Sequence, residues 1–514
     1  MQRRAVWGTI VCLICLLGSM AASPCELPAG TMMWLRLSTS VSSYSSKPGN
    51  PVSAVLTEDL VCKDGLAVPA GTPIAGQVRA VKKVGWGFRH ETASLRLEFN
   101  QLKLADESTL DLDTRLLEVE NSRETVKNGV IQGIRSTDTP QGRINSRLKH
   151  LPTWNPYSDA FLIAYKATFP IFPEPEIWYG PGTDMRLELT APLQVQTLAT
   201  SYSSNADADR ESSAMTSQLP QHISTLKEKD ADVVNLAFLG SREQLQSAFL
   251  SAGWVGSDKL SKTSFLREFS AFLDHSGYAT APMRPMLLAG APPDMLWQKS
   301  LNTYSKRDHL RIWRSTENYD GTPVWVGAAT HDAGATLSLR NKRFVHTIDP
   351  DIDQERAKII RDLKMAGCVQ SVQLVERPDV AHLLLNADGD PIKTDGKLAL
   401  VQLQDCSNET SPPKAKKYKP GNVVFRYLRR QVLTLRSDIW RANIIYGAYD
   451  VVRMLGHAAH DMEKTTVAHR EARANQQAAL VTARPAQAVS TSGESSEPVS
   501  ERGSKFSSLM ESVR

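Results

Sequence analysis

The stretch LPAGTMMWLRL, residues 27–37, sets the reading of the first half of the chain. Pro28 fixes φ and Gly30 permits a turn, which delivers the backbone into a segment where Met33, Leu35 and Leu37 alternate with Trp34, Arg36 and Ser38. Period two with one apolar face predicts a strand of an antiparallel sheet lying on a core. The alternation recurs at Ala93, Leu95, Leu97 and Phe99, and again at Met185, Leu187 and Leu189. The entry recurs as well: Val68-Pro69-Ala70-Gly71-Thr72 and Gly180-Pro181-Gly182-Thr183 each precede a strand. Turn signals at Lys47-Pro48-Gly49-Asn50, Lys63-Asp64-Gly65 and Gly85-Trp86-Gly87 separate the segments. Many short strands punctuated in this way predict an all-β barrel or sandwich over 25–197, with the Pro- and aromatic-containing stretch 120–180 as an insertion.

A polar stretch, 198–231, reads as a linker with one short helix. At Val233 the pattern changes. Val233 to Leu239 is a largely apolar run of strand length, Ser241 caps a following helix with Gln244 in capping-box position, and Gly253 stops it. Further strands are expected at 310–314, 324–329, 344–348, 369–375, 382–385 and 398–403, with a helix over Ile352 to Ala366. The fold class is therefore multidomain, an N-terminal all-β unit followed by an α+β domain over 232–440. A helix over 441–465 and a disordered tail over 466–514 complete the expected order.

The chain has 514 residues, room for about three domains. Hydrophobic residues at 41% and charged residues at 22% exclude a wholly disordered or collagen-like chain. A net charge of +5 over this length is too dilute for a nucleic-acid surface. The N-terminus has the order of a secretory signal: Arg3 and Arg4, an apolar run to Met20, then Ser19, Ala21, Ala22 and Ser23, with cleavage after Ala21 or Ser23. Retention as an anchor is the alternative. Trp440 to Leu455 carries Arg441, Asn443, Asp450 and Arg453, so no transmembrane helix is expected in the mature chain. An exported chain, periplasmic or secreted, keeps Cys25, Cys62, Cys368 and Cys406. Four cysteines allow three connectivities, of which Cys25–Cys62 with Cys368–Cys406 is the economical one.

Two resemblances follow from these residues. The order PAGT, SSYSSKPGNPVSAVL (42–56), DGLAVPAGTPIAGQV (64–78) is similar to the β-barrel domain of type IV secretion and conjugation scaffold proteins, over 28–110 and more loosely 180–197. It implies the barrel fold; the ring assembly of that family is not carried over. The second half resembles the LssY-type C-terminal domain through VNLAFLGS (234–241), AGW (252–254), HLRIWR (309–314), PVWVGAATHD (323–332) and HTIDPDIDQERAKIIRDL (346–363). That resemblance implies an envelope setting, with envelope components as partners, and supplies no reaction.

Three histidines, His309, His331 and His346, fall close together in sequence with Asp332. Imidazoles and a carboxylate on adjacent strands are the donor set of a divalent-metal site, so these four are the metal candidates. Arg311 and Arg356 are candidates for clasping a phosphate or carboxylate ligand. Against these readings, Asp349-Pro350 makes a helix start, Asp351 and Asp353 suit the helix dipole, and Glu355 pairs locally. There is no HExxH, nucleophile elbow or P-loop. The favoured expectation is a binding or structural protein of the envelope; the alternative is a metal-dependent hydrolase acting on a phosphorylated or lipid-derived envelope substrate.

Overall fold

The computed structural model describes residues 24–62, 65–104, 107–135, 174–196, 206–259, 261–274, 277–338 and 343–407, with single positions between 422 and 470. The expected leader, 1–23, lies outside them, as do much of the 120–180 insertion and nearly all of 441–514.

The alternating segments form one antiparallel sheet. Its strands are β1 (Met32–Leu37), β2 (Pro51–Leu56), β3 (Pro73–Lys82), β4 (Ser94–Lys103), β5 (Thr109–Asp111), β6 (Thr114–Val119), β7 (Thr125–Lys127), β8 (Val130–Gln132) and β9 (Asp184–Leu189). They run in the order β6-β9-β1-β2-β3-β4-β8-β7, with β5 added to β4. The two ends of this order, β6 and β7, approach one another, so the sheet curls into a nearly closed barrel. Met33, Leu35 and Leu37 point inward, fully buried with Phe99, Leu187 and Leu189.

The three repeated strand entries fold alike. Gly30, Gly71 and Gly182 hold φ of 89°, 87° and 87°, where an L side chain is strained. The following threonine closes each turn: Thr31, Thr72 and Thr183 donate their hydroxyls to the carbonyls of Pro28, Pro69 and Gly180 at 2.7, 2.7 and 2.8 Å. The glycine amides donate across to Leu189, Leu56 and Leu37. One turn, used three times, therefore stitches neighbouring strand ends.

The second unit is a mixed sheet of β10 (Leu236–Leu239), β11 (Val255–Gly256), β12 (Met295–Lys299), β13 (Arg307–Tyr319), β14 (Thr322–Ser338), β15 (Arg343–Ile348), β16 (Val369–Glu376) and β17 (Lys397–Leu403). The order is β11-β12-β13-β14-β10-β17-β16, with β15 on the far half of β14. Only β10 and β17 pair in parallel. Helices α1 (Ala206–Ser217), α2 (Arg242–Ser251), α3 (Lys262–Asp274) and α4 (Ile352–Met365) accompany it. Ser241 and Gln244 form the expected capping box at α2. The run expected from Val233 to Leu239 is broken at Asn235, whose side-chain amide bonds the Ala329 backbone while its own backbone bonds Gly327 and Ala399. The start of α4 also differs from expectation: the cap position is Asp351, while the Asp349 carboxylate accepts from the Asp351 amide at 2.9 Å. Part of the stretch expected to be a linker carries α1 and a hairpin, His222–Ser224 with Asp230–Val233. Leu219, Ile223 and Ala231 are buried under the second sheet.

Both disulfides have the economical pairing. Cys25–Cys62 lies in the barrel, and Cys368–Cys406 joins the end of α4 to the end of β17. The chain also returns to the barrel late: Leu433 enters its core, and the buried Arg429 guanidinium bonds Glu174, Glu176 and the Gly85 carbonyl.

Arg36 lies on the outer face of β1, yet it is buried. Its cross-strand neighbour on β9 is Asp184, and the two form a bidentate pair at 2.7 and 3.0 Å. Helix α4 closes over this pair, and Asp362 accepts from the same guanidinium. Lys358 reaches Asp184 at 2.7 Å, Glu120 at 2.8 Å and Asp362 at 3.1 Å. Lys299 of β12 meets Asp362 at 2.9 Å. Trp254 donates its indole N–H to Asp362 at 2.9 Å, and the Arg361 guanidinium stacks 4.3 Å over Trp34. Burial alone would raise Asp184 and Asp362, but Arg36, Lys358 and Lys299 reverse this and hold both carboxyls below the usual range. The two units are thus joined by charge in a dry seam. Asp184→Asn is expected to cost about 3–5 kcal/mol in urea unfolding, because it leaves buried cations uncompensated. Glu188→Gln, on the same strand but in an exposed pair with Arg115, should cost under about 1 kcal/mol.

Candidate functional site

Register decides which side chains meet. In β13 and β14, Arg307 pairs with Asp332, His309 with Thr330 and Arg311 with Ala328. Directly opposed residues share a face, so Arg307, His309, Arg311, Thr330 and Asp332 stand together. His346 of β15 joins them through Ala335 on the neighbouring rung. A cavity of about 300 Å³ opens over this face. It is walled by Glu268 of α3, the 282–286 segment, Asp232 and the 386–390 turn.

Asp332 is the hub. Its Oδ2 lies 3.2 Å from Arg307 Nε, 3.2 Å from His309 Nε2 and 2.9 Å from His346 Nδ1. Burial would raise this carboxyl, but His309, His346 and Arg307 hold it far below its ordinary value. Both ring nitrogens, His309 Nε2 and His346 Nδ1, are buried and face the Asp332 carboxylate. His346 Nε2 meets the Tyr304 hydroxyl at 2.8 Å, and that hydroxyl bonds Glu268. Burial, aided by Arg307 and Arg311, keeps His309 well below its usual pKa in spite of Asp332. Arg311 is held loosely: Asp232 lies at 3.5 Å, the Arg284 carbonyl at 3.4 Å, and its Nε has no partner. Burial draws its guanidinium below the ordinary value, with Asp232 and Asp332 opposing.

Of the four metal candidates, the structure brings His309, Asp332 and His346 together and sets His331 apart. His331 pairs with Asp308 on the opposite face, where its Nδ1 lies 2.8 Å from Asp308 Oδ1. Although burial lowers it, Asp308, Glu120 and Asp332 push this imidazole up to about 9. In the cavity, Arg307 already presents a fixed cation to the oxygen that both imidazoles face, the position a metal would take. The face therefore suits an anion or a polar ligand better than a metal. Arg356 is not in the cavity: it grips Asp395 at 2.9 and 2.8 Å and the Lys397 carbonyl at 2.6 Å, tying α4 to β17. Arg307, Tyr304 and Glu268 were not among the sequence candidates. Alternation from His309 reaches Arg307, but nothing local links either to Glu268.

Residues 216–398 match the family model described as LssY C-terminus. The matched segment is less than half of the chain. It begins in α1, ends in β17 and contains every cavity-lining strand. No curated protein matches the chain. Among solved structures, ComB10 of the Com type IV secretion system of Helicobacter pylori aligns at 13% identity and a TM-score of 0.20, over 33% of this chain and 89% of that one.

His309 gives a pH test with a definite sign. A histidine whose folded pKa is depressed favours the folded state above its unfolded value near 6.5, and that contribution is lost as pH falls below it. Urea midpoints should drop between pH 7 and 5, and the drop should shrink in His309→Gln.

Proposed function

We propose that this chain is an exported cell-envelope protein whose LssY-like domain binds a small oxyanionic ligand, a phosphate or carboxylate group, in the cavity over β13–β15. The observation that carries the reading is Arg311, a buried guanidinium with one nitrogen unpartnered and its other contacts at 3.4 Å or longer. Buried donors left open cost free energy, and an oxyanion on Arg311 would recover it. His309 and His346 stand beside it with their buried nitrogens turned to Asp332, while Tyr304 and Glu268 hold the other side of the His346 ring. The barrel serves as the rigid support to which this module is fastened.

Two features support export. The leader has the order of a secretory signal, and the two disulfides suit an oxidising compartment. No helix among the described residues is long and apolar enough to cross a membrane. A metal-dependent hydrolase is the weaker reading, because Arg307 occupies the cation position at Asp332.

Calorimetric titration with inorganic phosphate tests the site. Arg311→Met should weaken binding roughly ten- to hundredfold, the worth of a charge-assisted hydrogen bond. Arg356→Met should leave affinity unchanged while lowering the melting temperature. Undiminished binding in Arg311→Met, or none in the wild type, would remove the reading for this anion. Export is tested separately: N-terminal sequencing of the mature protein should begin at Ala22 or Pro24, and alkylation without reductant should label no cysteine.

A further inference from the structure

We infer that the seam between the barrel and the LssY-like domain holds a divalent transition-metal ion, ligated by Asp308, His331 and Glu355. These three each offer a ligand atom, and the atoms lie within 4.8 Å of one another. Tetrahedral ligands about 2 Å from a zinc ion are roughly 3.3 Å apart, so binding would draw the outermost atoms together by up to about 1.5 Å. The residues come from three elements: Asp308 from β13, His331 from β14 and Glu355 from the first turns of α4.

Two further buried atoms point to a ligand. Glu355 is 3% exposed and its Oε1 has no hydrogen-bond partner. Asn121, from the barrel turn after β6, is 4% exposed; its amide donates to Asp308 Oδ2 at 2.8 Å while its own Oδ1 has no donor. An acceptor buried without a donor is costly. Here two such acceptors flank a carboxylate, and turning the Asn121 amide over would present its oxygen to an ion. One imidazole with oxygen donors is a set that zinc accepts.

The seam gathers oxygen donors around this point: Asp184, Asp362, Glu120, Asp308 and Glu355 lie there with Arg36, Lys299, Lys358 and His331. Lys358 is already engaged with Glu120, Asp184 and Asp362. Binding releases the proton that His331 Nδ1 shares with Asp308, and the ion joins the same oxygen and nitrogen instead. The site is separate from the cavity, being on the other face of β13 and β14.

Tag-free protein should be stripped with EDTA, dialysed against zinc chloride, freed of excess metal and measured by elemental analysis. The expected result is about one zinc per chain, lost in Glu355→Gln and His331→Gln and retained in His309→Gln. Zinc should raise the wild-type melting temperature, and EDTA should reverse the rise. Should the seam variants not fold, diethylpyrocarbonate modification of the wild type, read by peptide mass spectrometry, decides the matter: zinc should protect His331 and leave His90 reactive. A wild type that retains no zinc, variants that retain all of it, or a His331 equally reactive with and without zinc would each overturn the assignment.

Discussion

The pairing of Arg36 with Asp184, capped by Asp362, is the constraint on which the arrangement of the two units depends. A guanidinium on the outside of a barrel is ordinarily solvated. Here α4 removes that water, and the surrounding Lys358, Lys299 and Trp254 have to replace it. Charges in such a place tolerate little displacement, because an ion pair that loses its geometry keeps the desolvation cost and forfeits the attraction. The seam therefore favours one docking angle over neighbouring ones in a way an apolar surface would not. That angle also sets the position of β13, whose two faces carry the cavity on one side and the Asp308 cluster on the other.

β13 thus links two different chemistries. Odd-numbered residues from Arg307 to Arg311 face a cavity lined by arginines and carboxylates together, with an incompletely satisfied arginine. Even-numbered Asp308 faces an acceptor-rich seam. A one-residue slip in the β13–β14 ladder would exchange the two sets. The alternation makes that register costly to change, since Leu310 and Ile312 on the seam side are buried in the core beneath α2 and α4.

Much of the fold was legible in the sequence because it depends on local pattern. Met33, Leu35 and Leu37 gave a strand and its inner face; Ser241 and Gln244 gave a helix start; the repeated proline-glycine-threonine entries gave turns. The site was legible only in part. Proximity in sequence grouped His309, His331 and His346, and period two could not separate them without the register of β13 on β14. Arg36 was assigned correctly to an outer face, but outer does not mean exposed when a second domain covers it. Glu120, Asn121 and Glu268 entered through tertiary contacts that no short window contains. Asn235 is a break in the apolar run that the sequence shows, but its side-chain bonds to Ala329 are visible only in the fold.

The return of Arg429 and Leu433 to the barrel has a consequence for how the molecule comes into being. The unit made first is missing part of its interior until residues more than three hundred positions downstream have been delivered. A chain emerging amino end first would thus present an incomplete barrel throughout the synthesis of the second domain. Contacts so distant along the backbone form slowly. Such a delay leaves the barrel interior open until the second domain has been made.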